Sequence, residues 1–238
     1  SRSAMARALE PGHGRRPWYA RGPMVAAPDF TAPPFGPLSP TALKRIEAWL
    51  ALPEEDGAEL LGGRIVYKGM ASLEHGDAIL GISEQIGLLR GPRREERGGW
   101  WQSHAPDLYL AHNGVRPDIA GWCVDKHPSP PRKVNVGVEH LGVYVVAPDW
   151  VCEVLSESTR GRDEAGGVKW RTYWEAGVAH YWLVDLVGMQ VTVYARGVRD
   201  FEPLDIAGAS SKKPLAPFAE VDFDAARVFI LAVAARGG

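Results

Sequence analysis

A mixed α/β fold, with helices on both faces of a sheet, is predicted by three features of this sequence. The run Trp150–Leu155 is mostly apolar, as expected of a central strand buried on both faces. Ile79, Ile82, Ile86 and Leu89 recur at helical spacing and form one apolar face. The elements follow the order helix, hairpin, helix, strands, buried strand, helix, strands, for which a sheet covered by helices is the economical architecture.

Residues 1–38 are rich in Pro, Gly, Ala and Arg, lack periodicity and are expected to form a flexible tail, leaving 39–238 as one domain. A helix is expected from Ser39-Pro40-Thr41 to about Leu52, because proline at the first turn costs no hydrogen bond. Glu59–Leu61 and Arg64–Tyr67 flank Gly62-Gly63, whose freedom at positive φ suits a hairpin turn. Ser72 is the expected N-cap of the periodic helix, which should close in the charged run Arg90–Arg97. Trp100–Ser103, Leu108–Ala111 and Asp118–Val124 read as strands, and Lys126–Leu141 as an exposed loop. Beyond the buried strand, a helix is expected over Asp163–Ala176, with Gly177 at its C′ position. Gly166-Gly167 weaken its first turn by about 1 kcal/mol each and should delay its start to near Gly167. His180–Asp185 and Gln190–Tyr194 are strands around the turn Leu186–Gly188; a polar loop with Lys212 and Lys213 then leads to a last helix over Asp222–Ala234.

Bulk properties narrow the function classes. Of 238 residues, 45% are apolar and 24% charged, ordinary for a globular domain, and no apolar run reaches the ~20 residues of a membrane span. The N-terminal arginines are not followed by the apolar stretch of a secretory signal, so a cytoplasmic protein is expected. Two cysteines, Cys123 and Cys152, both expected in strands, give no disulfide framework and no zinc cluster. A net charge of −2 argues against a non-specific nucleic-acid coat, though not against a local basic cleft. Gly161–Lys169 is no phosphate-binding loop, since Trp170 stands where Ser or Thr is needed, and no G-x-S-x-G elbow occurs. Trp170, Tyr173 and Trp174 could stack on bases, but packing against the sheet accounts for them more simply.

Two acids stand where burial should penalise them: Asp118, opening Asp-Ile-Ala-Gly-Trp, and Glu153, inside Trp-Val-Cys-Glu-Val-Leu. A hard divalent cation is one compensator, since Mg²⁺ needs only one or two carboxylates besides waters and phosphates. Lys169, on the following helix, could stabilise charge on a phosphate. The same residues admit a structural account, in which Glu153 and Lys169 form a partly buried ion pair and Asp118 caps a turn after Pro117.

A resemblance favours the chemical account. Arg116-Pro117-Asp118-Ile119-Ala120-Gly121-Trp122, then Pro148-Asp149-Trp150-Val151-Cys152-Glu153-Val154-Leu155-Ser156, then Lys169, Tyr173, Ala176-Gly177-Val178 and Tyr181-Trp182-Leu183-Val184-Asp185 together resemble the Uma-two-type family of putative restriction endonucleases, in the PD-(D/E)XK nuclease superfamily. The resemblance spans about Glu59–Tyr194. It implies a restriction-endonuclease-like α-β-β-β-α-β core and a Mg²⁺-dependent endonuclease (Mn²⁺ as substitute) acting on DNA. Asp118 and Glu153 would be its metal ligands, and Asp118, Glu153 and Lys169 its catalytic residues. In the parent superfamily a lysine lies two residues after the glutamate; here that position is Leu155, and Lys169 replaces it from the helix. Glu74 and His75 also match a family position, with His75 either facing the cleft or serving as a core histidine. Ser156 and Ser158 are candidate phosphate contacts or turn caps; Asp163 is expected to cap or solvate a loop. A basic cleft built with Arg116, Arg160, Arg162 and Arg171, and a homodimer placing two sites on two strands, follow by analogy alone. The competing expectation is a non-catalytic nucleic-acid-binding or protein-interaction module that keeps the fold.

Overall fold

The computed structural model of the chain describes residues 38–69, 71–92, 99–136, 138–156 and 159–235. The expected tail lies outside these except for Leu38, as do residues 93–97 of the charged run.

Helix α1 (Pro40–Leu50) begins as its sequence dictates. The Ser39 side chain accepts from Ala42 N, and Pro40 occupies the first turn. Its buried residues Ile46 and Trp49 pack toward β1 (Ala58–Leu61), where Trp49 Nε1 donates to the Ala58 carbonyl at 2.7 Å. Gly62 and Gly63, both at positive φ, turn β1 into antiparallel β2 (Arg64–Tyr67). With β4 (Leu108–Leu110) and β5 (Asn113–Val115) these strands form a four-stranded sheet in the order β2-β1-β5-β4.

The central sheet has six strands. They are β3 (Trp100–His104), β6 (Ile119–Cys123), β9 (Trp150–Val154), β10 (His180–Asp185), β11 (Gln190–Arg196) and β12 (Phe201–Gly208), in the order β12-β11-β10-β9-β6-β3. β9 and β10 pair in parallel and every other pair is antiparallel. Parallel neighbours require a crossover. It is supplied here by α3 (Arg160–Asp163) and α4 (Val168–Glu175), which ends at Gly177 with φ +88°. Helix α2 (Leu73–Ile86), capped by Ser72, buries Ala78, Ile82 and Ile86 against one face of the sheet together with Trp150, Cys152 and Trp182. On the other face α4 buries Trp170 and Tyr173 against Ala120, Val151 and Tyr181. Helices thus cover both faces of a mixed sheet, as expected, and both cysteines lie in strands and are unpaired.

The differences from expectation have local causes. Lys126–Leu141 is not wholly an exposed loop: it contains β7 (Val134–Val136) and most of β8 (Val138–Val143), a hairpin whose Val136 and Val143 are buried beside α1. Its proline- and lysine-rich approach masks two short apolar segments. The helix expected over Asp163–Ala176 is broken, because Gly166 sits at φ +79° and α4 starts only at Val168. Strand β12 lies within the expected polar loop, its edge position leaving Leu204 and Ile206 exposed and hiding the apolar alternation. The C-terminal helix is two pieces, a 3₁₀ turn (Ala225–Val228) and α5 (Ile230–Ala234).

Gly81 shows how closely α2 meets this C-terminal segment: a Cβ there would overlap the Arg227 carbonyl oxygen. Gly81→Ala should therefore destabilise the protein by about 1–3 kcal/mol through overpacking. Helix propensity alone predicts a gain of about 1 kcal/mol. Urea unfolding, read by circular dichroism, decides the sign.

Candidate functional site

Asp118 and Glu153 come together because of strand register. In the β6–β9 pair Ile119 lies opposite Cys152, so the next rung brings Asp118 opposite Glu153. The Asp118 carboxylate extends the ladder itself: Oδ2 accepts from Val154 N at 2.7 Å. Oδ1 is left facing Lys68 Nζ and His75 Nε2, each at 3.4 Å.

Glu153 is divided in the same way. Its Oε1 accepts from Tyr173 OH at 2.6 Å and lies 2.5 Å from Lys169 Nζ. Lys169 and Tyr173 are four residues apart on α4 and so share the face against the sheet. Oε2 faces Lys68 Nζ at 3.9 Å. Each carboxylate therefore has one oxygen tied into the scaffold and one directed at the same ammonium.

Two further acids complete the cluster. Glu59 of β1 is fully buried; its Oε1 accepts from Arg116 N at 2.9 Å and lies 3.0 Å from Lys169 Nζ. Asp163 of α3 is 1% exposed, with Oδ1 at 3.4 Å from the same nitrogen. Asp163 thus belongs to the buried cluster rather than capping or solvating a loop. Arg162 NH1 is 3.7 Å from Glu59 Oε2. Glu59 and Lys68 were not singled out by sequence reasoning, and Asp163 was read only as a cap or loop residue. Glu59 could have been, being a charge inside the short run Ala58–Leu61, the same anomaly that marks Glu153. Lys68 gives no such signal, since it follows a mostly exposed strand.

The charges are strongly perturbed. Burial drives the Glu153 carboxyl up to about 8; Lys169 and Lys68 oppose the rise, and Asp163 and Asp118 add to it. Burial also acts to raise Asp118, but Lys68 and the His75 hydrogen bond outweigh it and hold this carboxyl below its usual range. Glu59 is likewise penalised by burial yet lowered by Lys169 and Lys68. Burial alone would discharge Lys169; Asp163, Glu153 and Glu59 reverse that and keep it protonated well above the ordinary lysine range.

Asp118, Glu153, His75, Arg116, Ser156 and Lys68 line one cavity of about 520 Å³. Lys169 does not line it and is 0% exposed. The Ser156 hydroxyl lies 3.1 Å from Thr159 Oγ1, within the turn before α3. Ser158 lies outside the described residues. Of the four arginines named for a basic cleft, Arg116 alone lines the cavity, and Arg171 is exposed on α4 away from it. Arg116 is held by Asp107 and the Glu54 carbonyl, Arg160 by Glu164 and Asp185, and Arg162 is buried beside Glu59. The cavity wall instead carries Glu54, Glu55 and Asp56 alongside Lys68.

Whether these residues suit a divalent cation can be read from Lys68. Its ammonium donates to the Arg116 carbonyl at 2.7 Å and faces the presented oxygens of Asp118 and Glu153. Three oxygens, two of them carboxylate, thus converge on one positive charge. Among the described residues no three His, Cys, Asp or Glu side chains form a metal-ligand group. Two carboxylates with a carbonyl are nevertheless a donor set that suits Mg²⁺, which retains several waters.

Comparisons with known proteins identify the family and the fold. The model of the Uma2 family, described as a putative restriction endonuclease, matches residues 44–226. A crystal structure of a putative nuclease belonging to DUF820, from Anabaena variabilis, aligns with a TM-score of 0.57 over 79% of this chain and 98% of that one. At 22% identity this likeness is one of fold. No curated protein matches the chain.

Lys169 is the counter-charge of three buried acids, so Lys169→Met should cost about 3–5 kcal/mol of folding stability. Tyr173→Phe, which removes one donor to Glu153, should cost about 1–3 kcal/mol. Chemical denaturation of both variants beside the parent chain measures these losses, and an unchanged midpoint for Lys169→Met would contradict the cluster.

Proposed function

The chain belongs to the Uma2 family of putative restriction endonucleases, and on that premise we propose that it is a metal-dependent endonuclease hydrolysing DNA phosphodiester bonds. One observation carries the reading. Asp118, immediately before β6, and Glu153, on the neighbouring β9, each anchor one carboxylate oxygen and present the other to a common cation position in the cavity.

In this reading Asp118 and Glu153 hold a Mg²⁺ or Mn²⁺ ion, with the Arg116 carbonyl within reach of the same position. The ion supplies the Lewis acidity that phosphodiester hydrolysis requires. The protein's own residues provide preorganisation. Val154 N fixes the Asp118 carboxylate, while Tyr173 and Lys169 fix that of Glu153. His75, 3.4 Å from Asp118 Oδ1, holds that carboxylate from the α2 side and lines the space where a phosphate would lie. The residues on either side of Glu153 along β9 exclude water from the floor of the site, since Val151, Cys152, Val154 and Leu155 are all buried.

The cavity also carries an acidic wall at Glu54–Asp56, which by itself repels a polyanion. The same wall is the observation that favours the competing reading, a module that keeps the fold without turnover.

A supercoiled-plasmid assay separates the two. The parent chain should nick DNA in Mg²⁺ or Mn²⁺ and not in EDTA. Asp118→Ala and Glu153→Ala should each lose more than about a hundredfold in rate. Binding without cleavage by the parent chain in either metal would identify the non-catalytic module.

A further inference from the structure

Two lysines approach Glu153, and they are not equivalent. Lys169 is fully buried, does not line the cavity, and has short contacts to Glu153 at 2.5 Å and Glu59 at 3.0 Å with Asp163 at 3.4 Å. Its ammonium could not reach a bound phosphate without abandoning three buried carboxylates. Lys68 is the opposite case. It lines the cavity, its side chain is 17% exposed, and its contacts to Asp118 and Glu153 are long, at 3.4 and 3.9 Å. Its one short bond, 2.7 Å, is to the Arg116 backbone carbonyl.

We propose that Lys68, rather than Lys169, supplies the ammonium that contacts the substrate phosphate, and that until a divalent ion binds the same ammonium neutralises Asp118 and Glu153 in the ion's place. The inference rests on the nuclease reading above and alters its division of labour: Lys169 becomes a positioning residue. The two cations cannot share the position between the carboxylates. The weakly held one is on a flexible four-carbon stem just after β2, and it lines the cavity into which it can swing. Displaced by the ion, the Lys68 ammonium faces a non-bridging phosphate oxygen, where charge grows during hydrolysis.

The test uses the full chain with Lys68→Met, which removes the charge, and Lys68→Gln, which also keeps a donor for the Arg116 carbonyl. Calorimetric titration with MgCl₂ alone should show both variants binding the ion several-fold more tightly than the parent, because a competitor has gone. At saturating Mg²⁺, single-turnover plasmid cleavage should fall by about a hundredfold in both, with unchanged melting temperature. Unchanged or weaker Mg²⁺ affinity in both variants would overturn the proposal, as would parental cleavage rates at saturating metal. If the parent chain cleaves nothing, the nuclease reading and the phosphate contact both fail. Tighter Mg²⁺ binding in the variants would then still show that Lys68 holds the ion's place, and its absence would remove that too.

Discussion

Everything in the site depends on the neutralisation of four carboxylates in one buried volume. Glu59, Asp118, Glu153 and Asp163 are each less than 10% exposed and come from four different segments. A buried, uncompensated carboxylate costs several kcal/mol, and four of them could not persist together. Lys169 answers three from inside the protein, and Lys68 answers the other side from the cavity wall. The raised Glu153 carboxyl shows that compensation is incomplete.

The fold places these charges by ordinary means. Antiparallel register sets Asp118 opposite Glu153, helical periodicity sets Lys169 beside Tyr173, and the β1–β5 pairing brings Glu59 to the same place. Glu59 and Glu153 enter the core on strands whose other residues are buried and apolar.

Much of this was legible in the sequence. Glu153 inside Trp-Val-Cys-Glu-Val-Leu was conspicuous because burial makes a charge there anomalous, and Ile79, Ile82 and Ile86 marked α2 by period. Gly166-Gly167 correctly signalled the late start of α4. What could not be read was long-range. Lys68 is an unremarkable residue after an exposed strand, and only tertiary packing brings it to Asp118, fifty positions away. Asp163 looked like a cap because a short polar segment resembles any solvated turn, yet it is enclosed. β12 and the β7–β8 hairpin were missed because edge strands and short strands lack clean alternation.

The placement of Lys169 on the crossover between β9 and β10 has a consequence for how the chain assembles. Until the detour through α3 and α4 is seated, Glu59 on β1 and Glu153 on β9 lack their common counter-charge, and Asp163, carried on the detour itself, arrives together with Lys169. Seating it delivers their shared partner in one step. The charge cluster thus acts as proofreading for topology: an arrangement with the detour misplaced leaves Glu59 and Glu153 without that counter-charge and gains little from collapse.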